Sequence, residues 1–266
     1  MRRKPADDLA DDAWHRFLGE AIGGFRAAAR RLNETTAGDV AERRPGWFGK
    51  GNKAVKGARL PDETAISQAL IEEMEEIRAA QIIGSPGLLA GEPDLTGMDF
   101  HYEVARLYDP AIGPRAQETD LQFAIHRERL DLRVEAKKLT KPGDIAADYL
   151  GAEGLGRFDD ADAPYTLERF GGMMAYVTDK DSATWGGLIA AGIRGSLAPE
   201  RVSDTLLSGE AFVTTTHVRD IDIKLFELKG RFTTHVLHMV LEFEARPSRR
   251  RTPAARRTRQ RRQILP

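Results

Sequence analysis

Asp120-Leu121-Gln122-Phe123-Ala124-Ile125, the polar run His126-Arg127-Glu128-Arg129 and then Leu130-Asp131-Leu132-Arg133-Val134-Glu135-Ala136-Lys137 form the stretch on which the fold of this chain turns. In the second segment Leu130, Leu132, Val134 and Ala136 alternate with Asp131, Arg133, Glu135 and Lys137, the period of a strand that gives one side to a core. The first segment alternates likewise, with Leu121, Phe123 and Ile125 set against Asp120, Gln122 and Ala124. Two such strands joined by four polar residues predict a hairpin. A reversal centred on Arg127-Glu128 pairs Ile125 with Leu130, and counting outward sets Asp120 across from Glu135 at a Cβ separation of roughly 5 Å. Arg127-Glu128 lacks the Asn-Gly chemistry that pins a two-residue turn, and a slip of one residue would send the carboxylates to opposite faces. In the expected register Asp120, Glu135 and Lys137 share a face, an arrangement that suits phosphodiester chemistry.

Upstream, Asp62 is placed to cap a helix after Leu60-Pro61, with Ile66, Ala69, Leu70, Met74 and Ile77 as its inner stripe and an end near Gly84-Ser85-Pro86-Gly87. At about 100° per residue Glu63 falls about 20° from Leu70, inside that stripe, and Glu73 about 60° away on its other side; Glu72, Glu75 and Glu76 face outward. A carboxylate aimed at a core is costly unless a donor or cation meets it. The ordinary alternative for Glu63 is a first-turn acid favoured by the helix dipole.

Further out, Trp14, Phe17, Leu18, Ala21, Ile22, Phe25, Ala28 and Leu32 recur at spacings of three and four and predict an amphipathic helix over residues 8–32, with Asp7 or Asp8 as its cap. Downstream of the hairpin, Lys141-Pro142-Gly143 breaks the strand and Asp144 opens a short helix through Leu150. Residues 171–177 read as a buried strand, 182–194 as a helix, and 212–218, 223–228 and 233–243 as late strands, the last also compatible with a helix. Helix, mixed sheet, helix and strands together predict an α/β core.

The chain has 266 residues, 41% of them hydrophobic, enough for one sizeable core with appendages. No run of 18 apolar residues occurs, and Met1-Arg2-Arg3-Lys4 leads into Pro5-Ala6-Asp7-Asp8 where a signal peptide needs an apolar stretch, so a cytoplasmic protein without membrane attachment is expected. The absence of cysteine excludes disulfides and thiolate zinc sites, so a metal falls to oxygen ligands or the six histidines. Carboxylate ligands favour Mg²⁺ or Mn²⁺. The net charge of −1 hides an asymmetry: Arg246 to Arg262 carry nine arginines and no acid, leaving a formal excess of ten negative charges on the rest. Anionic polymers are therefore expected to bind locally if they bind.

Taken in order, Glu63 on a helix, Asp120 on a strand and Glu135-Ala136-Lys137 on the next strand, followed by a helix and a further strand, resemble the PD-(D/E)xK nuclease superfamily, the restriction-endonuclease-like fold. Tyr149, Gly154-Leu155-Gly156-Arg157-Phe158, Tyr165 and Gly171 to Val177 are also similar to segments of bacterial nucleases of this superfamily, including ones associated with phage defence. The resemblance covers roughly residues 60–243, and Glu118-Thr119-Asp120 stands where the superfamily carries its Pro-Asp pair. It implies a restriction-endonuclease-like core, a mixed central sheet flanked by helices, over residues 60–245. An N-terminal helix and basic, glycine-rich connection would precede it over 1–59, and a disordered arginine-rich tail would follow over 246–266. It further implies a hydrolase that cuts nucleic acid, DNA first, with Asp120, Glu135 and Glu63 holding Mg²⁺ or Mn²⁺ and Lys137 orienting water or stabilising phosphorane charge. Such a nuclease would act as a homodimer or as a subunit of a defence complex. The rival is a catalytically silent subunit that keeps the fold for nucleic-acid binding or assembly.

Lys138 lies on the opposite side of the strand, as a structural residue or phosphate contact. Arg157 suits either a nucleic-acid backbone or a pair with Asp159 or Asp160, and Arg249, Arg250 and Arg251 suit nonspecific contact with nucleic acid. Between residues 33 and 59 basic side chains surround Trp47 and Phe48, a mixture that serves phosphate contact with base stacking or a linker packed on the core. His235 and His238 face opposite sides of a strand and cannot chelate together, so they and His217 are read as structural. Gly151, Gly154 and Gly156 do not follow a strand into a helix as a dinucleotide fingerprint must.

Overall fold

The computed structural model describes residues 6–34, 58–59, 62–84, 93–105, 118–161, 165–178, 181–223, 228–243 and 246–247. In chain order the elements are α1 (Ala6–Glu34), β1 (Ala58–Arg59), α2 (Glu63–Ile82), β2 (Asp99–Ala105), β3 (Glu118–Ile125), β4 (Leu130–Leu139), β5 (Phe170–Val177), α3 (Ser182–Ser196), β6 (Val202–Leu207), β7 (Glu210–Ile223), β8 (Leu228–Glu242) and β9 (Arg246–Pro247). The loop from β4 to β5 carries a π-helical turn, Ile145–Tyr149, and a 3₁₀ turn, Leu155–Asp159. Trp47, Phe48, Arg249, Arg250 and Arg251 lie outside the described residues.

Seven strands form one mixed sheet in the order β2-β3-β4-β5-β8-β7-β6. The hairpin register is the expected one: Ile125 pairs with Leu130, and the ladder runs outward to Leu121 and Val134. His126 to Arg129 form the turn, and Arg129 adopts φ 56°, the left-handed conformation that lets a four-residue connection close. β4 and β5 are parallel, as are β5 and β8, while the outer pairs are antiparallel. β5 is buried along its whole length, as its apolar sequence requires of a central strand covered on both faces.

Helices α1 and α2 cover one face, where Phe17, Phe25, Ile66, Leu70 and Met74 meet Leu121, Phe123, Leu132, Val134 and Tyr176. Phe25 and Phe123 pack edge-on with ring centroids 4.5 Å apart, and each such side chain withdrawn from water contributes roughly 1.5–3 kcal/mol. All eight apolar positions expected to face inward on α1 are buried, so the helix is part of the main core. Helix α3 and the turns of the β4–β5 loop cover the other face, against Met173, Ala175, Val177 and Val236. Among the described residues no helix is long and apolar enough to cross a membrane.

Several local expectations need correction. Helix α1 begins at Ala6, so Asp7 and Asp8 lie inside its first turn and cannot cap it. Asp62 has the extended conformation of an N-cap, but its side chain makes no capping bond; only its carbonyl engages the helix, accepting from Ile66 N at 2.9 Å. Of the strand expected over 223–228, Ile223 ends β7, Leu228 opens β8, and 224–227 lie outside the described residues. The 233–243 segment is strand, within β8. Unanticipated β6 is joined to β7 through Ser208-Gly209, both at positive φ (50° and 84°), the two-residue reversal that matches strand twist and that glycine makes accessible. At the start of the arginine-rich stretch, Arg246–Pro247 pairs antiparallel with Ala58–Arg59.

Candidate active site

The four residues Glu63, Asp120, Glu135 and Lys137 converge where the C-terminal end of β4 meets the start of β3 and the first turn of α2. Each arrives for a local reason. Alternation along β4 gives Leu132, Val134 and Ala136 to the α1/α2 side and turns Glu135 and Lys137 to the other. The first residue of α2, Glu63, leans across to β4, and its Oε2 accepts a hydrogen bond from Lys138 N at 2.5 Å. One position beyond the last ladder pair, Asp120 bridges the strands with its side chain, Oδ2 accepting from Ala136 N at 2.7 Å.

Glu135 is 1% exposed, so its charge must be met inside the protein. Lys137 Nζ donates to Oε1 at 2.5 Å, and Arg157 Nη1 reaches Oε2 at 3.4 Å. The resulting electrostatics are unbalanced. Burial, then the neighbouring charge of Glu135, push the Asp120 carboxyl up to about 7, with Glu63 adding to the effect. Burial also raises Glu63, against the opposing pull of Lys138 N and Lys137. For Lys137 burial works to lower the pKa, but Glu135 beside it, with Glu63 and Asp120, holds it above its ordinary value. Glu135 thus raises both of the other carboxyls, while Lys137 draws both down.

Beneath the cluster, Ser67 and Tyr176 hydroxyls meet at 2.9 Å, tying α2 to β5. Asp144 fixes the bend after β4 by accepting from Thr140 N at 2.8 Å, Thr140 Oγ1 at 2.9 Å and Lys141 N at 3.0 Å. Those bonds hold its carboxyl below the ordinary range despite burial.

Arg157 pairs with Glu135 and Glu153, not with Asp159 or Asp160. Asp159 turns away to Arg201 and His217. Lys138 contributes its backbone N–H to Glu63, and its side chain is half-buried. His235 and His238 do face opposite sides: His235 lies beside Phe170, with ring centroids 5.7 Å apart, and His238 is buried against Tyr149 and Thr215. The contact of Arg157 with Glu135 was the part of the cluster that spacing could not supply, because 22 residues of irregular chain separate them.

Among the described residues no three acidic or histidine side chains are posed as a metal-binding group. Glu135 is turned onto Lys137 and Arg157, and Glu63 and Asp120 each give one oxygen to a backbone N–H of β4. The chemistry of the donor set nevertheless fits a hard divalent cation. It consists of oxygen ligands only, and a cation beside Asp120 would offset the burial and the Glu135 charge that raise its carboxyl. No family model matches the chain, and no curated protein or solved structure is significantly similar to it.

Proposed function

We propose that this protein is a metal-dependent nuclease that hydrolyses phosphodiester bonds of DNA on a restriction-endonuclease-like core. The observation that carries the reading is the gathering of Glu63, Asp120, Glu135 and Lys137, from three separate elements, into one part-buried cluster in which two carboxyls are raised. The order of elements supports it: a helix bearing Glu63, antiparallel β3 and β4 bearing Asp120 and Glu135-Ala136-Lys137, then a crossover to parallel β5.

Asp120 and Glu135, with Glu63, would hold Mg²⁺ or Mn²⁺, which supplies Lewis-acid polarisation of the scissile phosphate and a bound water of lowered pKa. The chain's own groups have distinct tasks. Lys137, kept protonated by the acids around it, orients the attacking water or balances charge on the phosphorane. Asp144 and the Ser67–Tyr176 bond keep the end of β4 and the first turns of α2 in place.

The test is cleavage of duplex and single-stranded DNA with and without Mg²⁺, by wild type and by Glu135→Gln and Lys137→Met. Metal-dependent cutting that both substitutions reduce at least about hundredfold is expected. Cutting that survives both defeats the assigned site, and metal-independent binding without turnover by the wild type makes the protein a binding subunit instead.

A further inference from the structure

Arg157 stands between the acid cluster and solvent, and the two ends of its guanidinium meet different surroundings. On the inside Nη1 faces Glu135 Oε2 at 3.4 Å; on the outside Nη2 donates to Glu153 Oε2 at 2.5 Å. The Glu135 side chain is 2% exposed, that of Arg157 19% and that of Glu153 75%. An ion pair with so exposed a carboxylate adds little stability and is readily exchanged. The inner contact is shielded from solvent and fixes the direction of the fork. Arg157 Nε is buried and has no hydrogen-bond partner among the described residues.

The platform under Arg157 is rigid. Phe158 is buried, with its ring 4.8 Å from that of Tyr165. Asp159 accepts from Arg201 Nη2 at 2.8 and 3.1 Å and lies 2.9 Å from His217 Nδ1. Just upstream, a Cβ on Gly154 would lie 2.3 Å from Tyr149 O and 2.4 Å from Asp148 O. Only glycine lets the chain press onto the π-helical turn before rising into Arg157. The glycine-rich run is thus a close backbone contact that sets the height and aim of one arginine.

We propose that Arg157 is the phosphate-binding residue of this site, and that Glu153 holds the outer edge of its guanidinium in the place that a DNA phosphate takes when substrate arrives. The identity of the substrate rests on the nuclease reading; the exchange on Arg157 does not. A planar fork presents parallel N–H donors that suit a phosphate as well as a carboxylate. A phosphate on that edge would lie next to Glu135 and Lys137, where the reaction is assigned.

The experiment is equilibrium binding of a short labelled duplex DNA in EDTA, so that neither turnover nor metal enters, across a salt series. Glu153→Gln is expected to tighten binding about fivefold, and Arg157→Gln to weaken it about fivefold and lower the slope of log K against log salt by about one. In the Arg157→Gln background Glu153→Gln should change nothing. Asp148→Asn, which removes an equal charge from an exposed position on the same loop, should leave binding within about twofold. Glu153 is exposed, so its variant can be read even if Arg157→Gln unfolds. Unchanged binding by Glu153→Gln overturns the proposal, as does equal tightening by Asp148→Asn or persistence of the Glu153→Gln effect without Arg157. Absence of Mg²⁺-dependent cleavage defeats the nuclease reading separately.

Discussion

Two buried polar clusters lie on the same face of the sheet and are built on opposite terms. At the end of β4, three carboxylates crowd around Lys137, and burial with the Glu135 charge pushes Asp120 up to about 7. Next to α3, a run of hydrogen-bonded side chains passes through the core and ends on the Asp159–Arg201 ion pair: Tyr149 OH lies 3.1 Å from His238 Nδ1, His238 Nε2 3.0 Å from Thr215 Oγ1, Thr215 Oγ1 2.9 Å from His217 Nε2, and His217 Nδ1 2.9 Å from Asp159 Oδ1. The run is anchored at both ends: Arg201 Nη2, which only donates, lies 3.0 Å from His217 Nδ1 beside Asp159, and Tyr149 OH donates to Met173 O at 3.2 Å, so the ring tautomers decide in which sense the protons point. Burial, the largest influence on both rings, lowers His217 and takes His238 down to about 3, so both are neutral at pH 7. Buried rings that are neutral and paired specify a core. Crowded carboxylates with a raised carboxyl work against folding at neutral pH, which is what makes them the candidate site.

The contrast predicts a double dissociation, and its largest effect is on activity. Asp120→Asn should remove Mg²⁺-dependent cleavage by at least about hundredfold while leaving thermal stability at pH 7 equal or higher, because it relieves a carboxyl that burial and Glu135 push up to about 7. His238→Leu should do the reverse. It removes one buried hydrogen bond from each of the Tyr149 and Thr215 hydroxyls, which keep only Met173 O and His217 Nε2, and should cost about 2–3 kcal/mol by chemical denaturation, with kcat/KM per folded molecule retained. Loss of stability in Asp120→Asn as large as in His238→Leu would erase the distinction. A smaller effect comes from the metal itself: Mg²⁺ or Mn²⁺ at about 100 times its Kd should stabilise the wild type by about 2.7 kcal/mol and leave Glu135→Gln unmoved.

The two clusters differed as much in how far the sequence disclosed them. Asp120, Glu135 and Lys137 were legible because alternation on both strands and a four-residue polar turn allow few registers, and the pairing from Ile125–Leu130 to Leu121–Val134 is the one that brings the acids together. Glu63 was legible from helix geometry, since an acid inside an apolar stripe needs a donor, and Lys138 N supplies it. The histidine chain was not. Its members sit diagonally on neighbouring strands, Thr215 opposite Val236 and His217 opposite Thr234, so no spacing along one strand reveals them. β6 escaped because Val202 to Leu206 are exposed or half-buried and carry no apolar period; the Ser208-Gly209 reversal was the available clue. The restriction-endonuclease-like resemblance could order the site residues, but it could not show that Glu135 would be met from outside the hairpin by Arg157.

The finest discrimination between the clusters is in their response to pH, where they act in opposite directions over the same range. Asp120 has a folded pKa of about 7 against an ordinary 3.8, so its favourable contribution is complete below about 3.8 and is lost as pH rises to 7; Glu63, also raised, acts in the same sense. His238 has a folded pKa of about 3 against 6.5, so its contribution is complete above 6.5 and is lost as pH falls towards 3; His217 and His235, also lowered, join it. Between about pH 4 and 6.5 the two slopes oppose each other, and stability of the wild type in chelator should vary little. Asp120→Asn removes one side of that balance. Its stability should climb with pH through this window by on the order of 2 kcal/mol and then level, so that its advantage over wild type is least near pH 4 and greatest at pH 7 and above. His238→Leu should show the opposite tilt, losing stability as pH rises through the same interval. Urea denaturation of the three proteins at one-unit steps from pH 4 to pH 8 reads both slopes. Parallel curves for wild type and Asp120→Asn would mean that Asp120 is already neutralised within the fold, and the raised carboxyl that separates the two clusters would be gone.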